Sequence, residues 1–405
     1  MIYNDTKYNK NWEIKKLSQL GEFARGKSKH RPRNDKKLFE GGGYPLIQTG
    51  DIKESNLFVK KHSVEYNDFG LNQSKLWESG TLCITIAANI AETAVLKYPM
   101  CFPDSVVGFN AYENESSSLF MHYVFTYIKQ AIQKSASGSI QDNINLEYLS
   151  SLEFRIPSKE YQDKIVKVLG TIDSKIENLI DLNELLNKMI KNIYEYIFIE
   201  FENSKSKNDL VYNDKIKNYI PKNWKIKKLS ELVEVNKTPF NSLSSVDVID
   251  LSIMSSSMVY VDKLNTSDNF STNLFNLKEG DLLFGSIRPY LKKACISPIN
   301  GAVTGTVFSL KPINNDDYNF CFATLTNDRI FDYAMKVSKG TKMPVVGIDD
   351  LLNYEIPYSK EASKKFNEIP LKNNIINNSK LIMELKKIRD FLLPLLMTGE
   401  IKIED

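Results

Sequence analysis

The sequence predicts a mixed α/β (α+β) protein of two globular domains joined by two long antiparallel coiled-coil helices, with a pseudo-twofold internal repeat. Three observations lead to this reading. Asn11-Trp12-Glu13-Ile14-Lys15-Lys16-Leu17-Ser18-Gln19-Leu20 returns 212 residues later as Asn223-Trp224-Lys225-Ile226-Lys227-Lys228-Leu229-Ser230-Glu231-Leu232, with eight of ten positions identical. Leu152-Glu153-Phe154-Arg155-Ile156-Pro157-Ser158 has its counterpart in Leu352-Asn353-Tyr354-Glu355-Ile356-Pro357-Tyr358, and each is followed by a helical pattern. The first of those patterns carries an unbroken apolar seam in four- and three-residue steps. The repeat offset far exceeds the roughly 20 to 50 residues of a solenoid repeat, so the repeating unit is a whole domain with its connector. Between the matched ends the two units have little in common, which reads as two scaffolds of one design with different contents.

Residues 1–157 form the first domain. Their strand-like runs include Tyr44 to Ile52 and Gly80 to Ile86, and a helix with an aromatic face, read as core, spans about 118–134. From 158 to 201 the pattern becomes helical, with a seam at Ile165, Leu169, Ile172, Ile176, Leu179, Asn183, Leu186, Ile190, Ile193 and Ile197. Asn183 on that seam either fixes register and partner at a cost in stability or is tolerated at a loosely packed position. Residues 202–222 are a polar linker. The second domain covers 223–357, with strand signals at Gly280 to Ser286 and Gly305 to Leu310. Residues 358–405 hold the second helical region and a tail, with Ile375, Asn378, Ile382, Leu385, Leu392 and Leu396 near heptad spacing. Pro370 fits a first helical turn and not a helix interior, so the longer helix starts most cleanly there.

With 405 residues, 42% of them hydrophobic and 25% charged, the chain has the composition of a soluble globular protein. It carries no apolar run of the roughly 20 residues that a membrane span requires, and Met1 to Asp5 lack a signal-peptide core, so the cytoplasm is the expected location. Cys83, Cys101, Cys295 and Cys321 include no C-x-x-C pair and the three histidines are scattered, which argues against a structural zinc site. Catalytic motifs are also missing. There is no phosphate-binding G-x-x-x-x-G-K-[ST] loop, no G-x-G-x-x-G and no G-x-S-x-G elbow. Asn236 to Phe240 resembles an adenine-methyltransferase motif only superficially, and no suitable Glu-x-Lys follows Pro103-Asp104.

A net charge of +3 does not by itself announce a nucleic-acid partner. The distribution says more, because lysine outnumbers arginine 46 to 7 and three of the seven arginines fall in Arg25-Gly26-Lys27-Ser28-Lys29-His30-Arg31-Pro32-Arg33. Such a loop either follows a phosphate backbone or is a solvated surface, and the scarcity of arginine favours DNA contact through Arg25, Lys27, Lys29, Arg31 and Arg33. In the second unit Arg288, Tyr290 and Lys292 follow a strand-like run, where Arg288 can clamp a guanine edge or a phosphate or form a structural ion pair. Two turns at matching places before the helices, with Gln141 and Asn143 in one and Lys342 in the other, add polar and basic side chains beside a glycine, although turn formation alone also accounts for the glycines.

The order and duplication of these phrases resemble the specificity subunit of a type I restriction-modification system. The resemblance rests on the repeated N-W-x-I-K-K-L-S-x-L opening, on Gly50-Asp51-Ile52, Phe102-Pro103-Asp104-Ser105 and Gly280-Asp281-Leu282-Leu283, on the Ile-Pro lead-ins to the helices and on the ending Leu392-Leu393-Pro394-Leu395-Leu396-Met397-Thr398-Gly399-Glu400-Ile401. It spans almost the whole chain. Pro370 and the Tyr161-Gln162 pair, where the family often has Glu-Gln, are mild departures. The resemblance implies two target-recognition domains that each read half of a bipartite asymmetric DNA site, joined by helices that set the spacing. It implies no catalysis and no cofactor in this chain, since S-adenosylmethionine, ATP and magnesium belong to partner modification and restriction subunits. Two alternatives remain: the specificity subunit of a type II or methylation-only system, and a coiled-coil scaffold that does not bind DNA.

Overall fold

The computed structural model describes residues 2–137, 144–201, 209–241 and 244–404. The chain divides into two compact units, residues 1–177 with 385–405 and residues 178–384. Both divisions fall inside long helices, Lys159–Tyr194 and Leu371–Met397.

In the first unit the repeated opening forms strand Glu13–Lys16, which pairs antiparallel with Glu153–Ile156 in front of the first long helix. A five-stranded sheet runs in the order Gly21–Arg25, Val106–Ala111, Leu82–Thr85, Thr93–Leu96, Phe58–Val59. A second sheet runs Val64–Tyr66, Tyr44–Leu46, Met100–Cys101, Leu76–Trp77. Tyr44 to Ile52, expected as one strand-like run, is therefore a strand only over Tyr44–Leu46. Thr49–Glu54 is a helix whose first turn is closed by Asp51 accepting from the Gln48 N–H at 2.6 Å, a local bond that competes with strand pairing.

Helix Ser118–Ser137 lays Phe120, Tyr123, Val124 and Ile128 on Leu82, Ile84 and Phe109 of the larger sheet. Ile165 and Leu169 of the first long helix share this core with Leu393, Leu396 and Met397 of the second. The two segments run antiparallel within the unit. Tyr161 Oη accepts from the Ile403 N–H at 3.0 Å, while twelve residues along the first helix Asp173 meets Arg389 at 2.9 Å.

The second unit repeats this plan. Strand Lys225–Lys228 pairs antiparallel with Glu355–Tyr358. Its register is offset by two residues from the sequence match, since Glu13 faces Ile156 whereas Lys225 faces Tyr358. An even offset leaves every side chain on its original face, so the core pattern survives. One sheet runs Val233–Val235, Val307–Pro312, Leu282–Gly285, Ala294–Ile296 and the other Asn265–Thr266, Asp247–Ile249, Gly301–Thr304, Leu274–Leu277. Strand for strand this is the topology of the first unit without the outermost Phe58–Val59, down to one parallel pair inside each smaller sheet.

Tyr194, Phe198, Phe320 and Phe366 form an aromatic cluster in this second unit. The stretch Glu195–Ile199 is a widened π turn, which extends the helix as far as Phe198. Helix Lys360–Phe366 precedes a break at 367–370, and the second long helix starts directly after Pro370.

Of the expected seam residues, Ile176, Leu179, Asn183, Ile190 and Ile382 are buried, whereas Ile172, Leu186, Leu385 and Leu392 are half-buried. Asp173, Tyr194 and Phe198 take the buried places next to Ile172, Ile193 and Ile197. A helix of 3.6 residues per turn drifts from a 3.5 repeat, so its inner face, which follows the seam at Ile165 and Leu169, lies one position later by Tyr194 and Phe198. The four cysteines are buried and free. No helix among the described residues is long and apolar enough to cross a membrane.

Candidate nucleic-acid interface

In the first unit the basic loop emerges from the end of strand Gly21–Arg25, where Arg25 faces Val107. Its backbone is strapped to the sheet: the N–H groups of Gly26, Lys27 and Lys29 donate to the carbonyls of Val106, Phe102 and Gln73 at 2.8, 3.1 and 3.1 Å. A Cβ at residue 26 would lie 2.3 Å from the Phe102 carbonyl oxygen, so only glycine allows this approach. The strapping turns Arg25, Lys27, Lys29, Arg31 and Arg33 outward, and all five are exposed.

Their charges are not equally available. Arg33 Nη2 donates to both Asp104 oxygens at 2.8 and 3.0 Å, and Arg31 folds back onto the His30 carbonyl at 2.9 Å. Arg25, Lys27 and Lys29 have no carboxylate partner among the described residues, so the positive field of the loop comes mainly from them. The loop bends back through His30, which sits 2.8 Å from Asp35 and holds that carboxyl below its usual range. Lys75, which no sequence signal singled out, lies 3.7 Å over the Trp77 ring, next to the Gln73–Ser74 segment that anchors the loop.

The connection between strands Leu82–Thr85 and Thr93–Leu96 leaves the same sheet end. Thr85 N–H donates to the Glu92 carbonyl at 3.0 Å, Ile86 N–H to Ser105 at 3.0 Å, and Ile144 N–H to Ile86 at 3.1 Å. Ala88 and Ala91 bracket the turn in the left-handed region, at φ 59° and 60°. Gln141 and Asn143 lie outside the described residues.

The equivalent connection of the second unit holds Arg288, Tyr290 and Lys292. Gly285 N–H donates to the Lys293 carbonyl at 2.9 Å, Ser286 N–H to Thr306 at 3.0 Å, and Val346 N–H to Ser286 at 3.0 Å, the same three bonds in the same order. Arg288 and Lys292 occupy the left-handed region at φ 52° and 51°. Such a backbone is costly for residues with a Cβ and collects where a loop must present side chains in a fixed way. Arg288 and Tyr290 are exposed, whereas Lys292 is half-buried with its ammonium 2.9 Å from Asp328. The Arg288 N–H donates to Pro344 O at 2.7 Å, which brings the turn carrying exposed Lys342 against this connection.

The structure thus gathers the basic loop and the 86–92 connection at one sheet end of the first unit. It gathers Arg288, Tyr290, Lys292 and Lys342 at the corresponding end of the second. Among the described residues no group of three His, Cys, Asp or Glu side chains is placed to hold a metal ion. These ends are hydrogen-bonded frames that carry cations and an aromatic, a set suited to contact a phosphate backbone and base edges.

Comparison with known proteins agrees with that chemistry. The family model for the type I restriction modification DNA specificity domain matches residues 9–188. Over 98% of its length the chain is 28% identical to the MjaIX type I restriction enzyme specificity subunit of Methanocaldococcus jannaschii, covering 95% of that protein. It is 25% identical to the HindI specificity subunit of Haemophilus influenzae over 45% of this chain and 41% of that one. The crystal structure of a type I restriction-modification S subunit from M. genitalium shares the fold at a TM-score of 0.57 and 16% identity, over the full length of both chains. Residues 9–188 thus match the DNA specificity domain model, and the relatives that align with nearly the whole chain are type I restriction enzyme specificity subunits.

Proposed function

We propose that this chain reads a bipartite, asymmetric DNA site, one globular unit to each half-site, and docks modification subunits and restriction subunits that carry the chemistry. One observation supports this most: two units of the same topology hold the same hydrogen-bonded strand connection but present different side chains on it, Ala87-Ala88-Asn89-Ile90-Ala91 in one and Ile287-Arg288-Pro289-Tyr290-Leu291-Lys292 in the other. A shared frame accounts for a shared mode of approach to the duplex, and unlike side chains account for unlike half-sites. The two long helices provide the spacing between the half-sites. On this reading the chain works in the cytoplasm and holds no cofactor, with S-adenosylmethionine, ATP and magnesium residing on its partners.

Selection of bound duplexes from a randomised DNA pool by the assembled complex tests the reading. It predicts enrichment of two unlike words at one fixed separation, and enrichment of no word or of a single contiguous word would overturn it.

A further inference from the structure

The basic loop of unit 1 carries its cations, while the strand connection at residues 87–91, the counterpart of the one that holds Arg288 and Tyr290 in unit 2, carries no motif in the sequence and has so far been given no role. We propose that this connection reads bases for the first unit, with Asn89 presenting its amide to an adenine edge in the major groove. The inference rests on the DNA-reading function proposed above and assigns it to a residue.

Geometry carries it. The 87–91 connection is superposable in kind on the one holding Arg288 and Tyr290, with three matching backbone bonds and two non-glycine residues in the left-handed region at matching places. Side chains differ completely between the two, Ala87-Ala88-Asn89-Ile90-Ala91 against Ile287-Arg288-Pro289-Tyr290-Leu291-Lys292. A costly backbone held constant under changing side chains is the arrangement expected of an interchangeable reading element. Ala88 and Ala91 add no reach beyond a methyl, and the Ile90 carbonyl is tied to Gln133 Nε2 at 2.8 Å. Asn89 is left as the polar side chain at the tip.

Its surroundings prepare the amide. The Asn89 carbonyl accepts from Thr85 Oγ1, which fixes the backbone under it. Lys53 Nζ donates to Asn89 Oδ1 at 3.1 Å, which occupies one lone pair and orients the group. No described residue accepts from Asn89 Nδ2, so a donor and a remaining acceptor lone pair stay available side by side. That pair matches N7 and N6 of adenine, whereas a guanine edge offers two acceptors. Lys53, exposed beside the amide, supplies positive charge next to the neighbouring phosphates.

The test is methylation sequencing of a methylation-free host that expresses the modification subunit with the wild-type chain, with Asn89→Ala or with Asn89→Asp, the last being nearly isosteric. Thermal unfolding of each purified complex is followed in parallel. The expected result is a relaxed preference at one adenine position of one half-site, on the order of tenfold or more, with the other half-site and the separation unchanged. An unaltered base profile for both variants overturns the proposal. So does a uniform fall in methylation without a change in profile, which would mark a structural role. Absence of methylation with the wild-type chain in an assembled complex would instead count against the DNA-reading function itself.

Discussion

Arg389 Nη1 lies 2.9 Å from Asp173 Oδ1 inside the first unit, and the same nitrogen reaches Asn56 Oδ1 at 3.0 Å. Asp173 is 1% exposed, and its second oxygen accepts from Tyr123 Oη at 2.7 Å. The carboxylate is therefore fully partnered, and the pair fixes which turn of the second long helix meets which turn of the first within this unit. Removing one member of a buried pair leaves the other charged without compensation. Asp173→Leu is expected to cost about 3–5 kcal/mol in urea unfolding. Asp173→Leu combined with Arg389→Met is expected to cost clearly less than Asp173→Leu alone. A double variant as unstable as the sum of the two singles would show that the residues act independently.

Within the second unit the polar seam is less well satisfied. Asn378 Nδ2 donates to Asn183 Oδ1 at 2.8 Å, but Asn183 Nδ2 and Asn187 Oδ1 are buried without a partner among the described residues. Each unpaired buried group costs about 1–3 kcal/mol. Asn187→Leu is therefore expected to raise the midpoint of thermal unfolding, and a lowered midpoint would show that the amide has a partner in solution.

His122 gives the first unit a pH dependence. It is 7% exposed, its Nδ1 lies 3.0 Å from Thr93 Oγ1, and burial, opposed by Asp173 and assisted by Arg389, lowers its pKa to about 4. The folded state keeps the ring neutral while the unfolded chain takes up a proton near pH 6.5. The stabilisation is present above pH 6.5 and is lost as pH falls from there toward 4, at about 1.4 kcal/mol per pH unit. His122→Gln is expected to flatten the dependence of unfolding free energy on pH in that window, and an unchanged slope would contradict the assignment.

The cations of the basic loop differ in availability, so their removal is expected to differ in effect. Neutralising Arg25, Lys27 and Lys29 together should reduce the slope of log affinity against log salt by roughly 2 to 3, at about 0.9 for each phosphate no longer neutralised. Arg33→Ala should change it less, because Arg33 already spends its charge on Asp104. Equal effects per residue would show that DNA draws Arg33 away from Asp104.

Much of this architecture was legible in the sequence because it depends on local periodicity. The helix Lys159–Tyr194 follows from spacing alone, whereas the repeated motifs marked the domain repeat without showing that they pair as strands Glu13–Lys16 with Glu153–Ile156 and Lys225–Lys228 with Glu355–Tyr358. That the two units share one design was legible from the repeat, but their strand order was not, since it depends on pairings between distant residues that the unlike contents conceal. Ile172 and Asp173 show the limit of a heptad template, because burial follows the geometry of a real helix and a charged residue pairs with a partner more than 200 residues away. The scarcity of arginine was a mixed guide. It pointed to the strapped loop at 25–33, yet Arg155 serves to tie Asp5 and the Lys10 and Trp12 carbonyls together, and Arg389 serves the Asp173 pair. Asn89 carried no signal, because a left-handed pair of alanines has no sequence signature.

The central claim is that two units of one design read two different halves of a single DNA site. Single-molecule methylation sequencing of a methylation-free host tests it most directly, comparing the modification subunit expressed with this chain against the modification subunit alone. The account predicts methyladenine at one asymmetric two-part motif of fixed separation, present only with this chain. Methylation that does not depend on this chain, or no methylation from a complex shown to assemble, would contradict it.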